Sequence, residues 1–189
     1  GNESATTNGY FVMTDTTYDG NLGGRTGANA RCLTELATNT NWMGYSDANT
    51  RGLLNSTNVG AFICDTALCG NLLPLRTYLF GLVGDSTIGG GQFTTTGSSI
   101  GPGDAQNWAQ LQYFGNSYDW WSNRDTSSSS TFSAGRTEST APATCSSFTS
   151  NSVAESAYYG NTNGTSGGRW ELSSDTCDQT KRLICYVNP

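Results

Sequence analysis

Histidine is absent from all 189 positions, so ligand chemistry in this chain falls to carboxylates, amides, hydroxyls, aromatic rings and nine Lys and Arg side chains. That absence excludes Ser-His-Asp and Cys-His catalysis and any histidine-ligated metal. The densest group is Tyr118, Asp119, Trp120, Trp121 and Asn123, near Tyr113 and Phe114. Aromatics beside a carboxylate and an amide are what glycan- and protein-binding hot spots use, so these residues are ligand-binding candidates; the same pattern also fits a core strand. Trp170 and Glu171, with Asp175 and Asp178 nearby, form a second oxygen-rich patch. Asp15, Asp19 and Asn21 offer oxygens around one turn and are candidate calcium ligands, although Asp and Asn in turns ordinarily bond their own backbone. No other cofactor is expected. Asp119, Glu138, Glu155 and Glu171 are scattered, with no motif uniting two of them into a glycosidase pair. No catalytic residue is assigned, and the chain is expected not to be an enzyme. Asn2, Asn55 and Asn163 head glycosylation sequons.

The six cysteines are Cys32, Cys64, Cys69, Cys145, Cys177 and Cys185. An even number in a chain with a single lysine, rich in Ser, Thr and Asn, reads as disulfides formed in an oxidising compartment. Metal binding by cysteine would need CxxC pairs or histidine, and neither exists. Cys64 and Cys69 are spaced to close a small local loop, which leaves the other four to pair among themselves.

Composition narrows the function classes further. Charged residues make up 13 % of the chain, the net charge is −6 and the pI is near 4.4. Such a chain is a poor partner for nucleic acid or heparin. No apolar run reaches the roughly 18–20 residues of a membrane helix, so no membrane insertion is expected. Gly (24), Ser (22), Thr (27) and Asn (17) supply nearly half the residues, and the aromatic content of 11 % argues for a packed core rather than disorder. The reading is an extracellular or cell-surface protein, matured by removal of a signal peptide, and a single domain over residues 1–189.

The elements that must position these residues are short. Tyr10 to Thr14 reads as a strand, and Tyr18 to Gly24 as a turn-dense loop. Thr26 to Thr38 is the best helix, with Thr26 its cap; Leu33 and Ala37 are expected to pack on the sheet, with Ala30 on the same face and Cys32 and Leu36 beside it. Asn41 to Tyr45 looks like a second strand, and Ser46 or Asp47 can cap a short helix over Ala48 to Leu54. Residues 71–84, broken by Pro74, Gly81 and Gly84, read as a strand pair or buried loop. Residues 85–107 are assigned as loop and Trp108 to Phe114 as a strand. Residues 1–8 form a polar tail, 125–142 a Ser/Thr-rich loop, and Lys181 to Val187 a final strand. The class is α+β, β-dominated and loop-rich.

The run YFVMTDTTYDGNLGGRTGANARCLTEL resembles the opening of endostatin-like, C-type-lectin-fold domains of bacterial surface proteins, including the leptospiral endostatin-like protein family. There a strand passes through a YdGNLGG loop into a helix that carries the first cysteine. NWMGYSDANTRGLL fits the segment that follows, and CSSFTS at 145–150 with Cys177, Leu183, Ile184 and Cys185 fits the closing pattern. The resemblance covers residues 9–58 and 118–188; the middle of the chain diverges. It implies a C-type-lectin-like domain with nested disulfides Cys32–Cys185 and Cys145–Cys177, termini side by side, and Cys64/Cys69 as an insertion. It also implies adhesin-like binding of extracellular proteins or glycans. The calcium lectins' Glu-Pro-Asn and Trp-Asn-Asp motifs are missing: Trp170-Glu171-Leu172 stands where the second is expected. A chain poor in lysine and rich in Gly, Ser, Thr, Asn and Tyr also suits an alternative, a structural subunit of an extracellular filament, sheath or surface layer. Such a subunit would self-assemble with identical copies through its loops and N-terminal tail.

Overall fold

In a computed structural model, residues 8–64, 77–86, 92–94 (backbone only), 118–123, 144–161 and 173–188 are described. Among them the fold is mixed α/β with strands dominating. A five-stranded sheet has the order β2 (Val59–Ala61), β8 (Ile184–Val187), β1 (Gly9–Met13), β3 (Thr77–Leu82), β4 (Gln92–Thr94). A second sheet places β6 (Ser156–Asn161) between β5 (Asp119–Trp121) and β7 (Ser173–Thr176).

β1 is the centre of the structure, and its sequence says why. All five residues of GYFVM are buried, as an apolar run flanked by strands on both sides should be. It pairs parallel with β3, Phe11 opposite Phe80, and antiparallel with β8, Val12 opposite Cys185. Side chains alternate between two cores. Tyr10 and Val12 join Leu36, Trp42, Trp121 and Phe148, while Phe11 and Met13 join Phe62, Tyr78, Phe80 and Trp120. The first and last strands are therefore neighbours, with Tyr10 opposite Val187.

The helix α1 spans Gly24–Thr38 and starts earlier than the sequence suggests. Thr26 is not its cap. Gly23 caps it in the left-handed region at φ 80°, with no side-chain bond, and Gly24 follows at φ 71°. A backbone turn that only glycine enters freely replaces the hydroxyl cap. The buried stripe is Ala28, Cys32, Glu35 and Leu36; Ala30 and Ala37 are exposed and Leu33 is half-buried. Asn41 to Tyr45 is a turn, not a strand. Trp42 is buried, its indole N–H donates to the Leu36 carbonyl at 3.0 Å, and Tyr45 N–H closes the turn on the Trp42 carbonyl. The short helix α2 (Ala48–Gly52) is capped by Asp47, which accepts from Asn49 N–H. β4 lies inside the segment assigned as loop. Trp108 to Phe114, the tail to residue 7 and the 125–142 loop lie outside the described residues.

Two disulfides staple this frame. Cys32–Cys185 joins α1 to β8, and Cys145–Cys177 joins the segment before β6 to the end of β7. They nest as the resemblance implies. Cys64 is also disulfide-bonded, and Cys69 lies outside the described residues. Gly20 fits against the second staple: a Cβ there would meet Cys145 Sγ at 2.6 Å and the Ser150 carbonyl at 2.7 Å.

Cys145 to Phe148 form the helical turn α3, and the turn is left-handed. All four residues have φ between 49° and 60°, and Phe148 N–H bonds the Thr144 carbonyl at 2.7 Å. L-residues adopt this conformation at a cost of roughly 1–2 kcal/mol each. Buried Phe148, seated on Trp121 at 6.2 Å between ring centroids, and the Cys145 disulfide hold it. The Ser146 hydroxyl, then that of Ser150, hold the Glu155 carboxyl below its ordinary range. Half-buried Ser147 sits at φ 58°, ψ 39°. Ser147→Gly is expected to stabilise the protein by about 0.5–1 kcal/mol, the relief of strain less the extra entropy of an unfolded glycine. Ser147→Val should do the opposite. Thermal unfolding of the two variants checks the sign; equal melting points would show that the turn is not strained.

Candidate functional site

The loop from β1 to α1 and the outer face of α1 enclose a cleft of about 630 Å³. Glu35 organises it. The carboxylate lies on the inner stripe of α1 and is buried, so it needs donors. The loop supplies them. Glu35 Oε2 accepts from Asp15 N–H at 2.6 Å and Thr16 N–H at 3.4 Å, and Oε1 accepts from the Tyr18 hydroxyl at 3.0 Å. The same loop is fixed from beneath by Trp121, whose indole N–H donates to the Tyr18 carbonyl at 2.9 Å.

Tyr18 forms one wall. Burial, then the Glu35 charge and the hydrogen bond to it, push its phenol up to about 12. The phenol is therefore a donor and not an acid at ordinary pH. Arg31, one turn before Glu35, lies over the Tyr18 ring at 5.5 Å from its centroid. Its Nη2 reaches the Asn21 carbonyl only at 3.4 Å. Because the folded pKa of Tyr18 is raised above its value of 10.0, the stability it adds is complete below about pH 10. That stability is lost as pH rises through 12. Tyr18→Phe is expected to flatten the fall in stability between those limits, and denaturant unfolding at stepped pH checks it. An unchanged slope would place the effect elsewhere.

The residues singled out from sequence divide differently. Trp120 and Trp121 are fully buried, one in each core, so they form no exposed stacking platform. Asn123 is buried too and brackets backbone: its amide donates to the Cys64 carbonyl at 3.0 Å and its Oδ1 accepts from Tyr158 N–H. Tyr118 is half-buried under Arg182, 4.0 Å from its ring centroid. Asp119 joins an ion cluster with Asp175 and the buried Lys181, whose Nζ lies 2.8 Å from Asp175 and 3.7 Å from Asp119. Asn161 donates to Asp119. Burial, Asp119 and Asp175 together raise the Tyr159 phenol pKa. Asp178 accepts from Thr176 in the turn after β7. Trp170 and Glu171 lie outside the described residues.

Two of the three calcium candidates have their carboxylates engaged within the protein. Asp19 Oδ1 accepts from Asn21 N–H at 2.9 Å, closing an Asx turn, and Asp15 faces Arg182 at 3.7 Å. Among the described residues no three acidic or thiol side chains gather as a metal site. Asn55 is exposed, with its Oδ1 accepting from Thr57 and Asn58 N–H; Asn2 and Asn163 lie outside the described residues.

Sequence reasoning missed Glu35, Arg31 and the buried role of Lys181. Glu35 left a signal: it stands at i+3 from Cys32 and beside Leu36, an acid inside an apolar stripe, which in a folded helix demands partners. Arg31 left none, because its role depends on a loop that folds back over the helix.

The chain matches no protein-family model and no curated protein.

Proposed function

We propose that this protein is a secreted or cell-surface, non-enzymatic binding protein, adhesin-like, with a C-type-lectin-like (endostatin-like) fold. Its ligands are extracellular proteins or glycans, and it takes them in the cleft between the β1–α1 loop and α1. The observation that carries this reading is the cleft itself, about 630 Å³ with walls fixed by Glu35 before any ligand arrives. Preorganised polar groups in a concave site are what small-ligand recognition needs.

Support for the fold comes from the adjacent antiparallel first and last strands, the helix cross-linked to the last strand and the nested disulfides. Support for an extracellular setting comes from the same disulfides, and among the described residues no helix is long and apolar enough to cross a membrane. Support for binding without catalysis lies in the cleft's chemistry. Both Glu35 oxygens are taken by loop donors, the Tyr18 phenol holds its proton to about pH 12, and the chain has no histidine.

The test uses arrays of extracellular-matrix proteins and glycans with the purified chain and an Ala30→Trp variant. Ala30 is exposed on the helix and lines the cleft, so an indole there fills the space without touching the core. Binding that disappears in Ala30→Trp, with the melting temperature unchanged, is the expected result. Binding that survives the filled cleft overturns the site. Light scattering run in parallel should give a 20.0 kDa monomer; long regular polymers would favour the structural-subunit alternative.

A further inference from the structure

We propose that the cleft reads a hydroxylated carboxylate, an acidic sugar residue of the uronic or sialic type, with the Arg31 guanidinium as the partner of its carboxylate. The inference rests on the cleft being the binding site proposed above.

Arg31 is the cleft's under-used group. Its Nε is buried without a hydrogen-bond partner, and its only hydrogen bond among the described residues, to the Asn21 carbonyl, is long at 3.4 Å. Among the described residues no carboxylate makes an ion pair with it. Glu35, four residues on, is the expected helix partner, but the loop N–H groups and the Tyr18 hydroxyl occupy its oxygens. The guanidinium is thus left stacked on the Tyr18 ring with donors to spare. A small rotation toward the cleft exchanges the long Asn21 contact for two parallel bonds from Nε and Nη2 to one carboxylate. That fork is the geometry a guanidinium matches best.

The rest of the lining fits the rest of such a ligand. Thr16 and Thr34 add hydroxyls, Asn39 an amide, and the exposed Asp15 carboxylate is an acceptor for sugar hydroxyls. A purely anionic ligand would meet Asp15 as a repulsive neighbour, and the protein's net charge of −6 opposes densely charged polymers at long range. One carboxylate on a neutral, hydroxylated ring satisfies both constraints.

The test compares binding of glucuronate- and sialate-terminated oligosaccharides with their carboxyl methyl esters. It uses the full chain and its Arg31→Gln, Arg31→Lys and Ala30→Trp variants. Esterification and Arg31→Gln should each weaken binding by about 10–100-fold, the loss of a charge-assisted pair, and Arg31→Lys should not restore it. The ester comparison is made on the unaltered protein, so it stands even if an Arg31 variant fails to fold. Acid and ester binding equally well, or Arg31→Gln binding as the native chain does, overturns the proposal. If a neutral glycan or a matrix protein binds instead and Ala30→Trp abolishes it, acid recognition is wrong while the cleft remains the binding site. If no probe binds, both readings fall.

Discussion

Replacing Cys32 and Cys185 together by alanine is expected to lower the unfolding free energy by about 5 kcal/mol, the entropy of closing so long a loop in the unfolded chain. The bond spans 153 residues and ties the inner face of α1 to the strand beside β1. Both cysteines are fully buried in the main core, so the substitution also leaves small voids. Cys145→Ala with Cys177→Ala, spanning 32 residues, should cost about 4 kcal/mol by the same reasoning. Domains of ordinary stability hold only about 5–15 kcal/mol in total, so the first variant should be marginal at room temperature. Urea unfolding of both pairs gives the comparison. A loss below about 1 kcal/mol for the longer loop would mean that the unfolded chain is already compact.

The parts of this architecture that local sequence determines are legible in it. GYFVM is apolar throughout, so a buried strand follows, and Asp47 before Ala48 is an ordinary helix cap. The parts set by tertiary contact were not. Ala30 and Ala37 look apolar at helical spacing, yet the stripe that faces the core holds Glu35. Hydropathy discards a stripe containing an acid, whereas the fold keeps it because a distant loop supplies three donors. Trp42 in the segment NWMGY reads as strand; its indole bond to the Leu36 carbonyl makes it a turn instead. Trp120 and Trp121 show the same limit at the candidate site. Adjacent residues on a strand face opposite sides, so one of two exposed-looking indoles is ordinarily on the surface. Here cores lie on both sides, and each indole fills one. The cleft itself joins residues 15–18 to residues 31–35 across the β1–α1 turn, a juxtaposition no local pattern encodes.

Lys181 carries the second large effect. The chain's single lysine has a side chain only 4 % exposed, with its ammonium 2.8 Å from Asp175, 3.7 Å from Asp119 and 3.9 Å from the centroid of the Tyr159 ring. Its backbone is equally engaged: Lys181 and Tyr18 exchange N–H to carbonyl bonds at 2.9 and 2.7 Å, which ties the ion cluster to the loop of the cleft. Lys181→Met keeps the aliphatic stem and removes the charge, leaving two carboxylates facing each other. Removing one partner of a fully buried pair costs about 3–5 kcal/mol. Asp119 and Asp175 are 39 % and 36 % exposed, so water recovers part of that, and about 2–3 kcal/mol is expected. The melting temperature should fall by about 5–10 °C. Adding Asp175→Asn to Lys181→Met should return more than half of the loss, because the uncompensated charge rather than any change in stem packing carries it. The same burial predicts slow acylation of the Lys181 amine in the folded protein and rapid acylation once urea opens it, read by peptide mass. A Lys181→Met protein that melts with the native chain, or a lysine that acylates at the rate of a free amine, would show that the cluster is open to solvent and holds no stability.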